Sequence, residues 1–373
     1  MIIRREDLQQ TCSILIQTVD ANSLSLVTET LELKTNGNML FMNITNREYY
    51  AQVRIDVGSA ESFHASVNAN LFLKLVAQIT TDTIELTIID NTLMLKGNGT
   101  YKLPLIFDGE QMLNLPEITI NNVTSEFNID SNILLSILQF NSKELLKGTI
   151  SKPVQKLYYV DEQGAITFTS GACVNSFMLA QPVKLLFNDR LVKLFKLFKG
   201  GDVKFTLGYD AISEDIIQTK VKFETDTITI TAILSCDDTL LRSVPVDGIR
   251  GRANAEYPYT ITLNKDALIQ TINRLLLFST KDIVNLYSRF EFKKDSVVIY
   301  DVQQDNKEEL YYTNTTPNLE GEYTATIDFA DLKTTLETCT EQYVTVHFGN
   351  GSAIVLSRGN VKNVIPEVRR ANG

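Results

Sequence analysis

Residues 188–199 read Asn-Asp-Arg-Leu-Val-Lys-Leu-Phe-Lys-Leu-Phe-Lys, and at about 100° per residue they sort into two faces. Leu191, Leu194, Phe195 and Phe198 fall on one side, and Arg190, Lys193, Lys196 and Lys199 on the other. The pattern predicts an amphipathic helix with a core-facing stripe and a cationic stripe. Weaker versions of the same unit recur along the chain: a short strand, an Asn, Asp or Ser helix start, then an amphipathic helix. Between helices the period drops to two. Residues 84–89, 203–207, 228–234 and 343–348 read as half-buried strands. Asn36-Gly37, Gln163-Gly164, Asp295-Ser296 and Gly349-Asn-Gly351 mark hairpin turns, and Gly97-Asn-Gly99 reads as one more.

The leucines that open the helices lie at 8, 71, 134, 191, 268 and 332, at intervals of 63, 63, 57, 77 and 64 residues. Near-regular spacing of this kind indicates internal repetition. Asn68, Asp130 or Ser131, Asn188, Asn264 and Asp328 are the expected N-caps, and the first helix lacks a clear one. One helix per several antiparallel strands predicts an α+β fold. Pairs of units give three tandem domains, 1–118, 119–248 and 255–373, each of two β-α-β(n) half-units. Boundaries fall near Leu115-Pro116 and in the polar, Gly-rich stretch 247–254.

Composition narrows the function. A net charge of −10 argues against coating nucleic acid by overall attraction, but the charge is unevenly placed. The six helical windows together carry +4, which leaves −14 on the rest of the chain. No stretch has the apolar length of a membrane span, and the N-terminus lacks a secretory pattern, so a cytoplasmic protein without a membrane partner is expected. Cys12, Cys173, Cys236 and Cys339 are scattered without metal or redox spacing. The two histidines, His64 and His347, sit far apart, and no phosphate loop, nucleophile elbow or dinucleotide fingerprint occurs. The expectation is a protein without catalysis, metal or cofactor.

Three tandem domains of paired units resemble the bacterial DNA polymerase III β subunit, the sliding clamp, over essentially the whole length. Local matches are the C-terminal Asn363-Val-Ile-Pro-Glu-Val368, Leu240-Leu-Arg-Ser-Val-Pro245 and Phe168-Thr-Ser-Gly171. The departures mark a divergent member, of bacterial or phage origin. The resemblance implies two chains closed into a ring around duplex DNA, with helices lining the hole and antiparallel sheets outside. In that setting Arg190, Lys193, Lys196 and Lys199 are the main expected DNA contacts, with Lys143, Lys147, Lys74 and Arg274 secondary. Solvated surface charge is the bland alternative for the second group. Tyr158-Tyr159 is not carried over as the family's DNA-touching tyrosine pair, because it falls within a strand.

The family's partner-peptide groove maps onto Thr169, Gly171, Val174, Arg242, Val364, Ile365 and Pro366. Ordinary core packing is the alternative for each. Gly171-Ala-Cys-Val174 stands where the family has Gly-His-Arg-Leu, and Glu367 puts a negative charge at the rim. The implied partners are double-stranded DNA without sequence preference, a DNA polymerase, a clamp loader and a second copy of the chain. Phage encoding would place it in the host cytoplasm. Two rival readings stay open: a β-rich structural or virion assembly protein, and a monomeric processivity factor that binds DNA by charge.

Overall fold

A computed structural model describes residues 1–19, 25–58, 62–136, 157–168, 171–178, 184–198, 200–213, 217–234, 244–279, 286–313 and 319–368. Backbone pairing is antiparallel throughout the named sheets, and the chain divides into two compact units. One unit comprises Met1–Leu135 with Arg190–Asp237, and the other Ser136–Asp189 with Asp238–Gly373.

The first unit holds an eight-stranded sheet. Its strand order is Asn122–Asp130, Asp202–Ala211, Ile217–Glu224, Ile228–Ile233, Tyr49–Asp56, Met39–Thr45, Thr30–Asn36 and His64–Asn68. A four-stranded sheet, Ile2–Arg4, Thr83–Ile89, Thr92–Lys96 and Thr100–Pro104, accompanies it. The helices Arg5–Leu15 and Ala69–Ala77 pack on each other.

The second unit repeats this arrangement. Its eight strands run Lys184–Asn188, Leu157–Asp161, Gly164–Phe168, Ala172–Ser176, Val361–Pro366, Ala353–Arg358, Tyr343–Phe348 and Tyr259–Asn264. Its four-stranded sheet runs Lys307–Tyr311, Ser296–Tyr300, Tyr287–Phe292 and Tyr323–Asp328. Helices Lys265–Leu276 and Phe329–Thr338 pack together over a core that includes Ile272, Leu275, Leu332 and Leu336. Phe292 and Phe348 stack there with ring centroids 4.1 Å apart.

The repeat has a sharper definition in three dimensions than in the sequence. The fourth residue past the position preceding each helix is Leu8, Phe72, Leu134, Val192, Leu268 or Leu332, and all six are buried. Leu71, aligned by residue type alone, is half exposed, and Phe72 takes its place. The cap fixes the phase: Asn68 accepts from the Leu71 N–H, and one full turn later the side chain points into the core. Asn264 and Asp328 cap their helices in the same way, and Asp130, rather than Ser131, caps the helical residues 131–136. Arg4 precedes the first helix without a side-chain cap, as its sequence implied.

The predicted strands and hairpins are present, with Thr83–Ile89 burying Ile84 and Leu86 and Tyr343–Phe348 burying Val344, Val346 and Phe348. One stretch departs from expectation. Val246–Ala253, read as a polar connector, is an α-helix despite Gly248 and Gly251. Asp247 in its first turn and Arg250 and Arg252 in its last complement the helix dipole. Ala253 is buried, and the helix packs on the strands Ala172–Ser176 and Val361–Pro366. Hydrogen bonding also joins residues across both predicted boundaries: Ile228–Ile233 pairs with Tyr49–Asp56, and Ala172–Ser176 with Val361–Pro366.

Candidate nucleic-acid interface and partner groove

The basic helix spans Asp189–Phe195, shorter than the twelve-residue pattern. Past Phe195 the turn tightens: Leu197 and Phe198 donate to the carbonyls of Leu194 and Phe195, at 3.0 and 3.1 Å, in place of partners four residues back. Gly200 and Gly201 then turn the chain with positive φ of 78° and 81°. Leu191, Leu194, Phe195 and Phe198 are all buried, as the pattern required. Phe195 meets Phe198, Phe205 and Phe223 at centroid distances of 5.8, 5.6 and 5.4 Å. Val192 and Leu197 are buried too, so the apolar arc is wider than one stripe and leaves Lys193 and Lys196 exposed. Lys199 lies outside the described residues.

Arg190 is engaged. Its Nη1 lies 2.5 Å from Glu48 Oε2, and its guanidinium sits 5.7 Å from the centre of the Tyr49 ring. Arg274 stands in a similar arrangement on its own helix: Nε donates to Glu308 Oε1 at 2.8 Å and Nη2 to Oε2 at 2.6 Å. This two-pronged bond holds the Glu308 carboxyl below its usual range and raises Arg274. Lys74 is exposed in the last turn of Ala69–Ala77 and has no ion pair among the described residues. Lys143 and Lys147 lie outside the described residues.

At the expected groove, Ala172 pairs with Val364 and Val174 with Lys362. Val174, Val364 and Ile365 are buried, with Ile365 inside the core under Lys265–Leu276 and Phe329–Thr338, while Gly171 and Pro366 are partly exposed. Gly171 has a steric reason: a Cβ there would lie 2.0 Å from the Val364 carbonyl oxygen. Thr169 and Arg242 lie outside the described residues. Glu367 is fixed beside Pro366, where the Tyr323 hydroxyl reaches its two carboxylate oxygens at 2.9 and 2.8 Å and accepts from the Gly351 N–H. Burial, then the Glu367 carboxylate, push the Tyr323 phenol up. Tyr158, passed over as a DNA contact, is fully buried in a strand.

Sequence reasoning missed Glu48, Glu308, Tyr323 and Asp161, the last of which pairs with Arg250. Each acts on a partner far away along the chain; Glu48 and Arg190 are 142 residues apart. No local pattern encodes such a pairing. His64 contacts Glu32 at 3.1 Å, and His347 bridges Thr260 and Ser357. Burial, then Lys362, lowers His347. Among the described residues no cluster of His, Cys, Asp or Glu suits a metal ion, and Cys12, Cys173 and Cys339 are buried thiols outside any disulfide. Among the same residues no helix is long and apolar enough to cross a membrane.

Along its whole length the chain has the fold of the DNA polymerase III β subunits, the sliding clamps. It is similar to the β subunit from Pseudomonas aeruginosa, with a TM-score of 0.75 at 14% identity, covering 99% of this chain and 100% of that one. The β subunit from Streptococcus pyogenes gives 0.75 at 14%, covering 99% of each chain, and the sliding clamp from Bacillus subtilis 0.73 at 13%, covering 99% of this chain and 98% of that one. No protein-family model matches the sequence. No curated protein matches it either.

Proposed function

We propose that the protein is a DNA sliding clamp: a homodimeric ring that encircles duplex DNA and tethers a polymerase to it, without chemistry or sequence readout. The observation that carries this reading is the full-length likeness to sliding clamps at TM-scores of 0.71–0.75. The basic side chains on helices, set against an acidic remainder, support it as well.

Sheet accounting supports the dimer. Each predicted domain contributes two four-stranded half-sheets. Four of the six halves are joined in pairs into the eight-stranded sheets, and two remain as four-stranded sheets. Each of the remaining pair has two edges; Thr100–Pro104 and Lys307–Tyr311 are the ones that correspond, as the last strand of a meander, to Tyr49–Asp56, Ile228–Ile233, Ala172–Ser176 and Val361–Pro366, which make the joins in the eight-stranded sheets. Open edges are normally covered or paired. Joining one edge to the other edge on a second copy would make a third eight-stranded sheet and, used twice, would close a two-fold ring. The helix Lys265–Leu276 lies against the second edge, where Leu277 is 81%, Phe278 52% and Tyr311 77% exposed. Lys102 stands on one edge, and Glu309 beside Lys307 on the other.

The groove around Gly171 and Pro366 would take apolar peptides from a polymerase and a loader, with Glu367 altering the preferred motif. Any ATP used to open the ring would belong to the loader. The protein would act in the cytoplasm where the DNA is copied, that of a host if it is phage-encoded. Sedimentation equilibrium tests the assembly: twice the chain mass is expected, and a monomer at micromolar concentration contradicts the ring.

A further inference from the structure

Arg190, the first cation of the basic helix, does not face solvent alone. Glu48 meets it from a turn whose shape is fixed: Asn46 Oδ1 accepts from the N–H groups of Glu48 and Tyr49 at 3.1 and 3.0 Å. Ile233 N–H donates to the Glu48 carbonyl at 2.7 Å, and Arg47 takes a positive φ of 72°. The carboxylate is therefore presented from a rigid support rather than from a mobile loop. The Arg190 and Glu48 side chains are 38% and 62% exposed, so another anion can reach the guanidinium. An exposed pair of this kind adds little to stability. Arg274 and Glu308 show the same pairing of a helix arginine with a carboxylate from another element.

We propose that Glu48 is a built-in competitor for DNA phosphate at Arg190, and that Glu308 plays the same part at Arg274. A carboxylate offers the fork of an arginine much the same two acceptors as a phosphate does. While the pair is closed, Arg190 adds nothing to the attraction between protein and duplex. A passing phosphate competes with Glu48 for the guanidinium, and Glu48 reclaims the arginine when the phosphate moves on. The competition keeps the grip weak, as sliding requires. This inference rests on the clamp reading, because it needs the basic helix to face DNA.

The test is a double-mutant cycle on the full chain, measuring equilibrium binding to a short linear duplex by fluorescence anisotropy across a salt series. Glu48→Gln should bind roughly tenfold tighter at about 50 mM salt, with a salt slope steeper by about one, as one recruited phosphate contact predicts. In an Arg190→Gln background, Glu48→Gln should change affinity less than about twofold. An equal gain with and without Arg190 would overturn the proposal, since loss of a nearby negative charge would then account for everything. No gain in either background would overturn it too, while salt-dependent duplex binding by the unmodified chain would leave the clamp reading standing. Absence of duplex binding by every variant would overturn this proposal alone, because a closed ring needs no equilibrium affinity for a short linear duplex.

Discussion

Arg250 and Asp161 meet as a two-pronged ion pair, Nη1 to Oδ2 and Nη2 to Oδ1, both at 2.6 Å. The pair fastens the helix Val246–Ala253 to the hairpin between Leu157–Asp161 and Gly164–Phe168, and both side chains are largely buried. Burial alone would raise the Asp161 carboxyl, but the Arg250 fork and the Gln163 N–H outweigh it and hold it below its usual range. Arg250→Met leaves a buried carboxylate without its cation and should cost about 3 kcal/mol by chemical denaturation. That is the low end for a buried pair, because a cavity beside it, lined by Tyr159, Lys184 and Val246, admits water.

The same pair sets a pH dependence. A carboxyl depressed in the folded state contributes stability above its unfolded value of about 4, and that stability is lost as pH falls through the folded value. As pH falls below about 4, denaturation midpoints of the unmodified chain should therefore drop more steeply than those of Arg250→Met. Parallel curves would contradict the assignment.

Glycine substitutions separate two environments. A Cβ at Gly248 or Gly251 would meet nothing within 4 Å, and neither takes a positive φ. Each change to alanine should stabilise by about 0.5–1 kcal/mol, through helix propensity and a less disordered unfolded chain. Gly171→Ala forces a contact with the Val364 carbonyl and should cost about 3 kcal/mol. Thermal melts of the three variants test both signs.

At the proposed dimer edge, Leu277→Asp with Phe278→Asp removes two apolar side chains that a partner would cover. Each is worth about 1.5–3 kcal/mol when fully buried, so the double variant should sediment as a folded monomer. A dimer that survives unchanged would place the interface elsewhere.

Lys193→Gln and Lys196→Gln should each weaken duplex binding uniformly across sequences and lower the salt slope by about one. A sequence-dependent loss would point to base contact instead of phosphate contact.

Much of the fold was legible because its signals are local. Asn68, Asn264 and Asp328 sit where caps act, and alternation along 84–89 and 343–348 puts the right side chains inside. What was not legible depended on long-range pairing or on context. The helix Val246–Ala253 was hidden by two glycines whose propensity its packing and the Arg250 pair override. Matching leucine to leucine misplaced the repeat at Leu71, because the phase is set by the cap and not by residue type. At the candidate site, the sequence distinguished the faces of the basic helix. It gave no sign that Arg190 and Arg274 are held by Glu48 and Glu308, since each pairing arises only when distant strands or turns come together.

Topological linkage to DNA is the central claim, and loading onto nicked circular DNA tests it most directly. The protein is loaded with a clamp loader, washed in high salt and followed before and after linearisation. A closed ring stays on the circle through the wash and leaves when the DNA is cut, because charge contacts alone do not survive such salt. Loss from the intact circle in salt, with a reference clamp retained under the same loader, would contradict the ring.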